Sequence, residues 1–151
     1  MSRNLYSSVD PEQLILTITR KQDVTHSRHN ITPDEQFLQA GAKKMKVDEY
    51  FPPHYHLPCE KTATRTEEAW VILSGRVEGK FYDLDHKHLE TFILNDGDCI
   101  VLYRGGHSLR NLDEGTIMYE FKTGPYYGRE KDKAFFEDSN ECNRFQSSRR
   151  F

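Results

Sequence analysis

Residues 67–84 read EEAWVILSGRVEGKFYDL, and this stretch decides the fold. Its two halves alternate in period two and meet at Ser74-Gly75, the pattern of antiparallel strands joined by a tight turn. With Glu68 inward, Trp70, Ile72, Val77 and Phe81 have the parity of an interior, and Trp70 and Phe81 are the expected apolar walls of a cavity. The opposite parity, Ala69, Val71 and Leu73, is apolar as well. A sheet apolar on both faces must hide the second one, so a homodimer is expected, with sheets or N-terminal strands such as LILTITR packing across it.

The same punctuation runs outward from the hairpin. LILTITR (14–20), FLQAGAKKMK (37–46) and VDEYFPPHYH (47–56) read as strands before it, the third carrying prolines that suit a strand start or an edge. LETFIL (89–94), DCIVLYR (98–104) and TIMYEFK (116–122) follow it, separated by NDGD and NLDEG turns. No amphipathic helix lies between these runs, so about eight short strands point to an all-β sandwich or small barrel rather than to βαβ units. Residues 1–36 read as an N-terminal arm with one strand, 37–123 as the barrel, and 124–151 as a docked arm followed by a frayed end.

Bulk properties exclude several partners. The 151 residues fit one domain with one core. The 21 basic and 24 acidic residues give a net charge of −3 and are spread along the chain, so no footprint for nucleic acid or an anionic membrane is expected. A small-molecule substrate is the expected partner. No stretch approaches the length of a membrane span, the N-terminus lacks an apolar signal core, and the three cysteines, Cys59, Cys99 and Cys142, contain no CxxC pair. A cytoplasmic location follows as an expectation.

Chemistry concentrates around two histidines. On a strand, His54 and His56 would leave the same face roughly 7 Å apart, near enough for both imidazoles to converge on one ion. Glu68 and His107 could reach the same point from neighbouring strands. Three imidazole nitrogens and one carboxylate would bind a divalent transition metal, Fe, Mn, Ni, Co or Zn, with positions left open for substrate. Arg65 and Arg104 could gather an anionic group beside that pocket. The pair His86 and His88 reads as a solvated hairpin turn, and His26 and His29 as part of a polar loop.

These residues bring a family into view: the chain resembles the cupin superfamily over roughly residues 38–122. His54, His56, Glu68 and Gly75 match the first cupin motif, and Gly97, Gly105, His107 and Asn111 match the second. Two departures stand out. Eleven residues separate His56 from Glu68 where the motif has three or four, and Tyr103 replaces the usual proline. Glu60, four residues after His56, therefore rivals Glu68 for the role of carboxylate ligand; Glu68 is favoured because it heads a clear strand. The stretch from Gly105 to Lys133 further resembles small single-domain cupins of surface-polysaccharide and nucleotide-sugar pathways.

The resemblance implies an antiparallel double-stranded β-helix, a jelly-roll or cupin barrel, with extra N-terminal strands and a C-terminal arm. It implies a metal-dependent enzyme that isomerises or epimerises a small sugar phosphate or nucleotide-linked sugar, with Glu60 or Tyr103 moving the proton. An Fe(II)-dependent dioxygenase and a non-catalytic sugar- or metal-binding module are the alternatives.

Overall fold

The structure, a computed structural model, describes residues 1–138. Among these residues lie ten strands, a single 3-10 turn (Lys21–Asp23) and one short α-helix: β1 (Arg3–Tyr6), β2 (Leu14–Thr19), β3 (His29–Asn30), β4 (Gly41–Ala42), β5 (Glu68–Ser74), β6 (Val77–Tyr82), β7 (His88–Leu94), β8 (Cys99–Leu102), β9 (Gly106–Asn111), β10 (Ile117–Lys122) and α1 (Arg129–Asp132). The fold is all-β. Every strand pairing is antiparallel, in a five-stranded sheet β1-β2-β8-β5-β10, a three-stranded sheet β7-β6-β9 and the small pair β3-β4. The two larger sheets are not closed into a barrel. No helix among the described residues is long and apolar enough to cross a membrane.

Parity sorts the side chains into two clusters. The inner faces of both larger sheets share one core, in which Ile18, Trp70, Ile72, Ile100 and Leu102 of the larger sheet meet Val77, Phe81, Phe92 and Leu94 of the smaller. The outer face of the larger sheet carries Leu14, Ala69, Val101 and Tyr103, covered by Ile31, Leu38, Ala40 and Ala42 of the same chain. The apolar outward face of β5, read as a dimer contact, is thus covered at Ala69 by the chain itself. The row left half exposed is Ile117, Tyr119 and Phe121 on the terminal strand β10. Residues 1–36, read as an arm, supply two strands of the main sheet.

β2 is buried along its whole length because both of its faces are covered. Its two threonines satisfy their hydroxyls: Thr17 Oγ1 donates to Asn4 Oδ1 at 2.8 Å and accepts from Tyr103 Oη at 3.1 Å, while Thr19 Oγ1 lies 2.6 Å from Ser2 Oγ. Two glycines are required by backbone geometry. Gly75 turns the central hairpin at φ +82°, and Gly105 makes the corner between β8 and β9 at φ +77°, where a Cβ would run into the carbonyl oxygen of Tyr82.

Two expected strands are absent. Of residues 37–46 only Gly41–Ala42 pair, and residues 43–67 contain no strand. Pro52, Pro53 and Pro58 offer no amide hydrogen to a ladder and restrict the residues before them, so a continuous ladder is interrupted across residues 51–58. Conversely β9, read as a corner leading to His107, is a full strand paired with β6, Phe81 opposite His107. The expected frayed end and Cys142 lie outside the described residues.

The N-terminal turn is pinned by Asp83. Burial works to raise its pKa, but hydrogen bonds from Ser7 and Ser8 and from the Leu84 and Ser8 amides outweigh it and hold the pKa at about 2. The Ser8 amide and hydroxyl reach Oδ2 at 2.7 and 2.6 Å, and the Leu84 amide reaches Oδ1 at 2.8 Å. Because the folded pKa lies below the ordinary 3.8, this contribution is complete above about pH 4 and is lost as pH falls toward 2. Asp83→Asn is expected to cost about 2 kcal/mol at pH 7 and progressively less below pH 4. Urea denaturation of both proteins across that range measures it.

Candidate functional site

The site is built by cross-strand register. Glu68, the first residue of β5, sits opposite Leu102 of β8 and Lys122 of β10, and Trp70, two residues on, sits opposite Glu120. Residues directly opposite on antiparallel strands come within side-chain reach. Lys122 Nζ accordingly lies 3.4 Å from Glu68 Oε1 and 2.9 Å from Glu120 Oε1, and Trp70 Nε1 donates to Glu120 Oε2 at 3.2 Å. The pair with Glu120 and the nearby Glu68 raise the pKa of Lys122 against the effect of burial, and Lys122 in turn lowers that of Glu120. One ammonium serves two carboxylates.

His107 arrives from the opposite sheet. Its position opposite Phe81 aims it at the interior, and its ring stands 4.8 Å from that of Trp70 at an interplanar angle of 53°. Nε2 lies 3.2 Å from Glu68 Oε2. The two atoms are close without the alignment of a hydrogen bond, so Oε2 is a buried carboxylate oxygen with no aligned donor among the described residues. Burial lowers the His107 pKa from the ordinary imidazole value, and the charge of Glu68 opposes that shift only in part. The imidazole is therefore neutral at pH 7 and held beside a carboxylate that would stabilise its protonated form.

The pair opens into a cavity of about 1280 Å³. Glu68, Trp70, Leu102, His107 and Glu120 line it together with Tyr82, His86 and Arg104. Residues 132–138 form a further wall as a strap. Phe136 stacks on His86 with ring centroids 4.6 Å apart at 8°, meets Tyr82 edge-on at 5.0 Å, and packs where a Cβ on Gly106 would come within 2.6 Å of its ring. Asp138 Oδ2 accepts from Tyr82 Oη at 2.8 Å, and Asp132 Oδ1 accepts from Thr66 Oγ1 at 2.8 Å.

The residues singled out in the sequence divide between this cavity and other places. Glu68, His107, Trp70 and Arg104 line it. His54 and His56 lie in the irregular segment 43–67 and are exposed, their rings 5.6 Å apart edge to face, with His54 Nδ1 2.8 Å from the Pro52 carbonyl oxygen. Glu60 is exposed in the same segment. Among the described residues no group of three or more His, Cys, Asp or Glu side chains is placed to hold a metal ion. Tyr103 is fully buried on the outer face of the sheet, bonded to Thr17, its pKa pushed up to about 12 chiefly by burial. Phe81 is sealed in the core against Phe92. Arg65 lies beside Tyr103, donating to its carbonyl oxygen at 3.2 Å and to Glu67 Oε1 at 3.3 Å.

Sequence reasoning passed over Glu120 and Lys122. Their signal was the alternation IMYEFK, which places two charges on one face of a strand. No family model, no curated protein and no solved structure matches the chain.

Removing Lys122 leaves Glu68 and Glu120 as uncompensated neighbours. Lys122→Met is expected to destabilise the fold by about 1–3 kcal/mol at pH 7, the cost of leaving a buried charge without its partner. Because Lys122 lowers the pKa of Glu120, the part of the loss that belongs to that pair is complete at pH 7 and is lost as pH falls through the lowered Glu120 value. Urea denaturation from pH 7 into the acid range reads both effects.

Proposed function

We propose that the cavity is an enzyme site that moves a proton on a small polar substrate, isomerising or epimerising a sugar phosphate or nucleotide-linked sugar. The observation that carries this is the pair of His107 Nε2 and Glu68 Oε2, 3.2 Å apart at the wall of a cavity of about 1280 Å³. A neutral imidazole beside a buried carboxylate is a general base whose conjugate acid is stabilised as it forms. His107 would take the proton from the carbon next to a carbonyl. It would return that proton to the neighbouring carbon in an isomerisation; in an epimerisation a second acid or water on the opposite face would supply the proton, and His107 would release its own to solvent. The Lys133 ammonium, which lines the cavity, would stabilise the oxyanion formed between the two transfers.

The resemblance to cupins adds a divalent metal on His54, His56, Glu68 and His107. Glu68 and His107 have the right chemistry and proximity, but the exposed His54 and His56 do not join them, so the four do not fit a metal as they stand. No step is routed through one. A specific feature nevertheless favours a second, metal-binding reading. β9 and β10, which carry His107 and Lys122, each end their sheet among the described residues, while residues 43–67 are irregular for longer than is usual in a compact domain. Strands 37–46 and 47–56 added to such edges would give the double-stranded β-helix of a cupin. Elemental analysis of chelator-free protein decides this reading: near-stoichiometric metal lost in both His54→Ala and His107→Ala supports it, and no metal after reconstitution ends it. A homodimer belongs to the same proposal, with the apolar row of β10 as its contact.

The test of the proton-transfer function is solvent exchange. Deuterium from D₂O should enter a carbon-bound position of at least one member of a panel of sugar phosphates and nucleotide-linked sugars, as read by proton NMR. Glu68→Gln and His107→Gln should each slow it by about 10²-fold or more. Exchange unchanged in either variant would overturn the assignment of the pair, and tight binding without exchange would favour the binding module.

A further inference from the structure

Arg104 is the side chain of the cavity whose chemistry is unanswered. It follows β8 with the inward parity of Ile100 and Leu102, directly before the Gly105 corner, and its side chain lines the cavity. Its Nε is buried and has no hydrogen-bond partner, and its guanidinium makes no ion pair with any carboxylate among the described residues. A guanidinium cannot relieve its burial by losing a proton, and it carries five donors in a fixed fork. Such a group is strongly biased toward an acceptor.

Of the six carboxylates that line the same cavity, none forms an ion pair with Arg104 among the described residues, and five are engaged elsewhere. Glu68 and Glu120 share Lys122, Asp83 holds the Ser8 turn and the Leu84 amide, Asp132 takes the Thr66 hydroxyl, and Asp138 takes that of Tyr82. Arg104 therefore keeps its charge for something that enters the cavity. Its place suits a bound molecule that also reaches the pair. It lies two residues beyond Leu102, the register partner of Glu68, and three residues before His107. Residues two apart on an extended chain are roughly 7 Å apart, a separation that the oxyanion and the reacting carbon of one small molecule can span. Lys133 on the strap adds positive charge at the same site, since its field acts on both His107 and Glu120.

We propose that Arg104 is the anchor of an oxyanion subsite in this cavity, which takes the phosphate or diphosphate group of the substrate through the planar fork of its guanidinium. This rests on the cavity being the substrate site, and not on the proton transfer assigned to Glu68 and His107.

Calorimetric titration with inorganic pyrophosphate, and with malonate as the carboxylate counterpart, tests it. Pyrophosphate should bind wild type saturably, and Arg104→Gln at least about tenfold more weakly, the usual consequence of losing a charged hydrogen bond. Saturable binding of malonate in place of pyrophosphate, with the same dependence on Arg104, would keep the subsite and name a carboxylate as its anion. Binding of neither anion by wild type, or equal binding by Arg104→Gln, would overturn the proposal. Should Arg104→Gln fail to fold, the ¹⁵N resonance of Arg104 Nε in wild type decides. A saturable shift on adding pyrophosphate is expected, and its absence contradicts the subsite. Failure of solvent exchange with pyrophosphate binding intact would remove the proton-transfer reading and leave Arg104 in place.

Discussion

A carboxylate at the seam of two sheets must be compensated, and much of the site follows from how Glu68 is served. It enters the interior at the first residue of β5, only 5 % exposed, where an uncompensated charge would be costly. Compensation comes from its own sheet through Lys122, while His107 approaches from the other as a neutral imidazole. The first contact follows from the β5–β10 register, the second from the placement of β9 across the sandwich. Slipping either strand by one residue would turn its side chain, Lys122 or His107, to the opposite face. The fold's register and the site's chemistry are therefore one constraint.

That constraint explains which parts of the fold the sequence made legible. Period-two alternation finds a strand when one of its faces is more buried than the other, as in β6 and β7. β2 was legible for a different reason, its continuous burial between two covered faces. The failures share a cause as well. β9 opens with a glycine corner and alternates polar with apolar residues weakly, since it lines a cavity instead of packing against a solid core. Residues 43–67 alternate plausibly but carry three prolines and find no partner strand among the described residues. Pattern alone cannot tell a strand from a chain with strand-like composition and no ladder to join.

The site was legible by halves. Glu68 and His107 were found because each stands beside a strong structural mark, a strand start and a double-glycine corner. Trp70 followed from parity. Arg104 was found only as one cation among several, and what singles it out is the absence of an acceptor, which no sequence can display. Glu120 and Lys122 were missed because an acid and a base two apart read as an ordinary solvated strand face. The strap escaped because Phe136 and Asp138 matter through contacts with Tyr82 and His86, some fifty residues away in the chain.

Tyr103 illustrates how one residue of parity separates roles. It adjoins Arg104 in the chain, but it faces the outer cluster while Arg104 faces the cavity, and its hydroxyl is consumed by Thr17. Under the proposed function, proton chemistry in the cavity would fall to His107. Its titration is the most direct measurement of the account, followed by NMR in wild type and in Glu68→Gln. The account predicts a midpoint below the ordinary imidazole value of 6.5 in wild type, and a lower one still in Glu68→Gln, because the carboxylate's charge partly offsets burial. A wild-type midpoint at or above that value, or one indifferent to the loss of Glu68's charge, would contradict it.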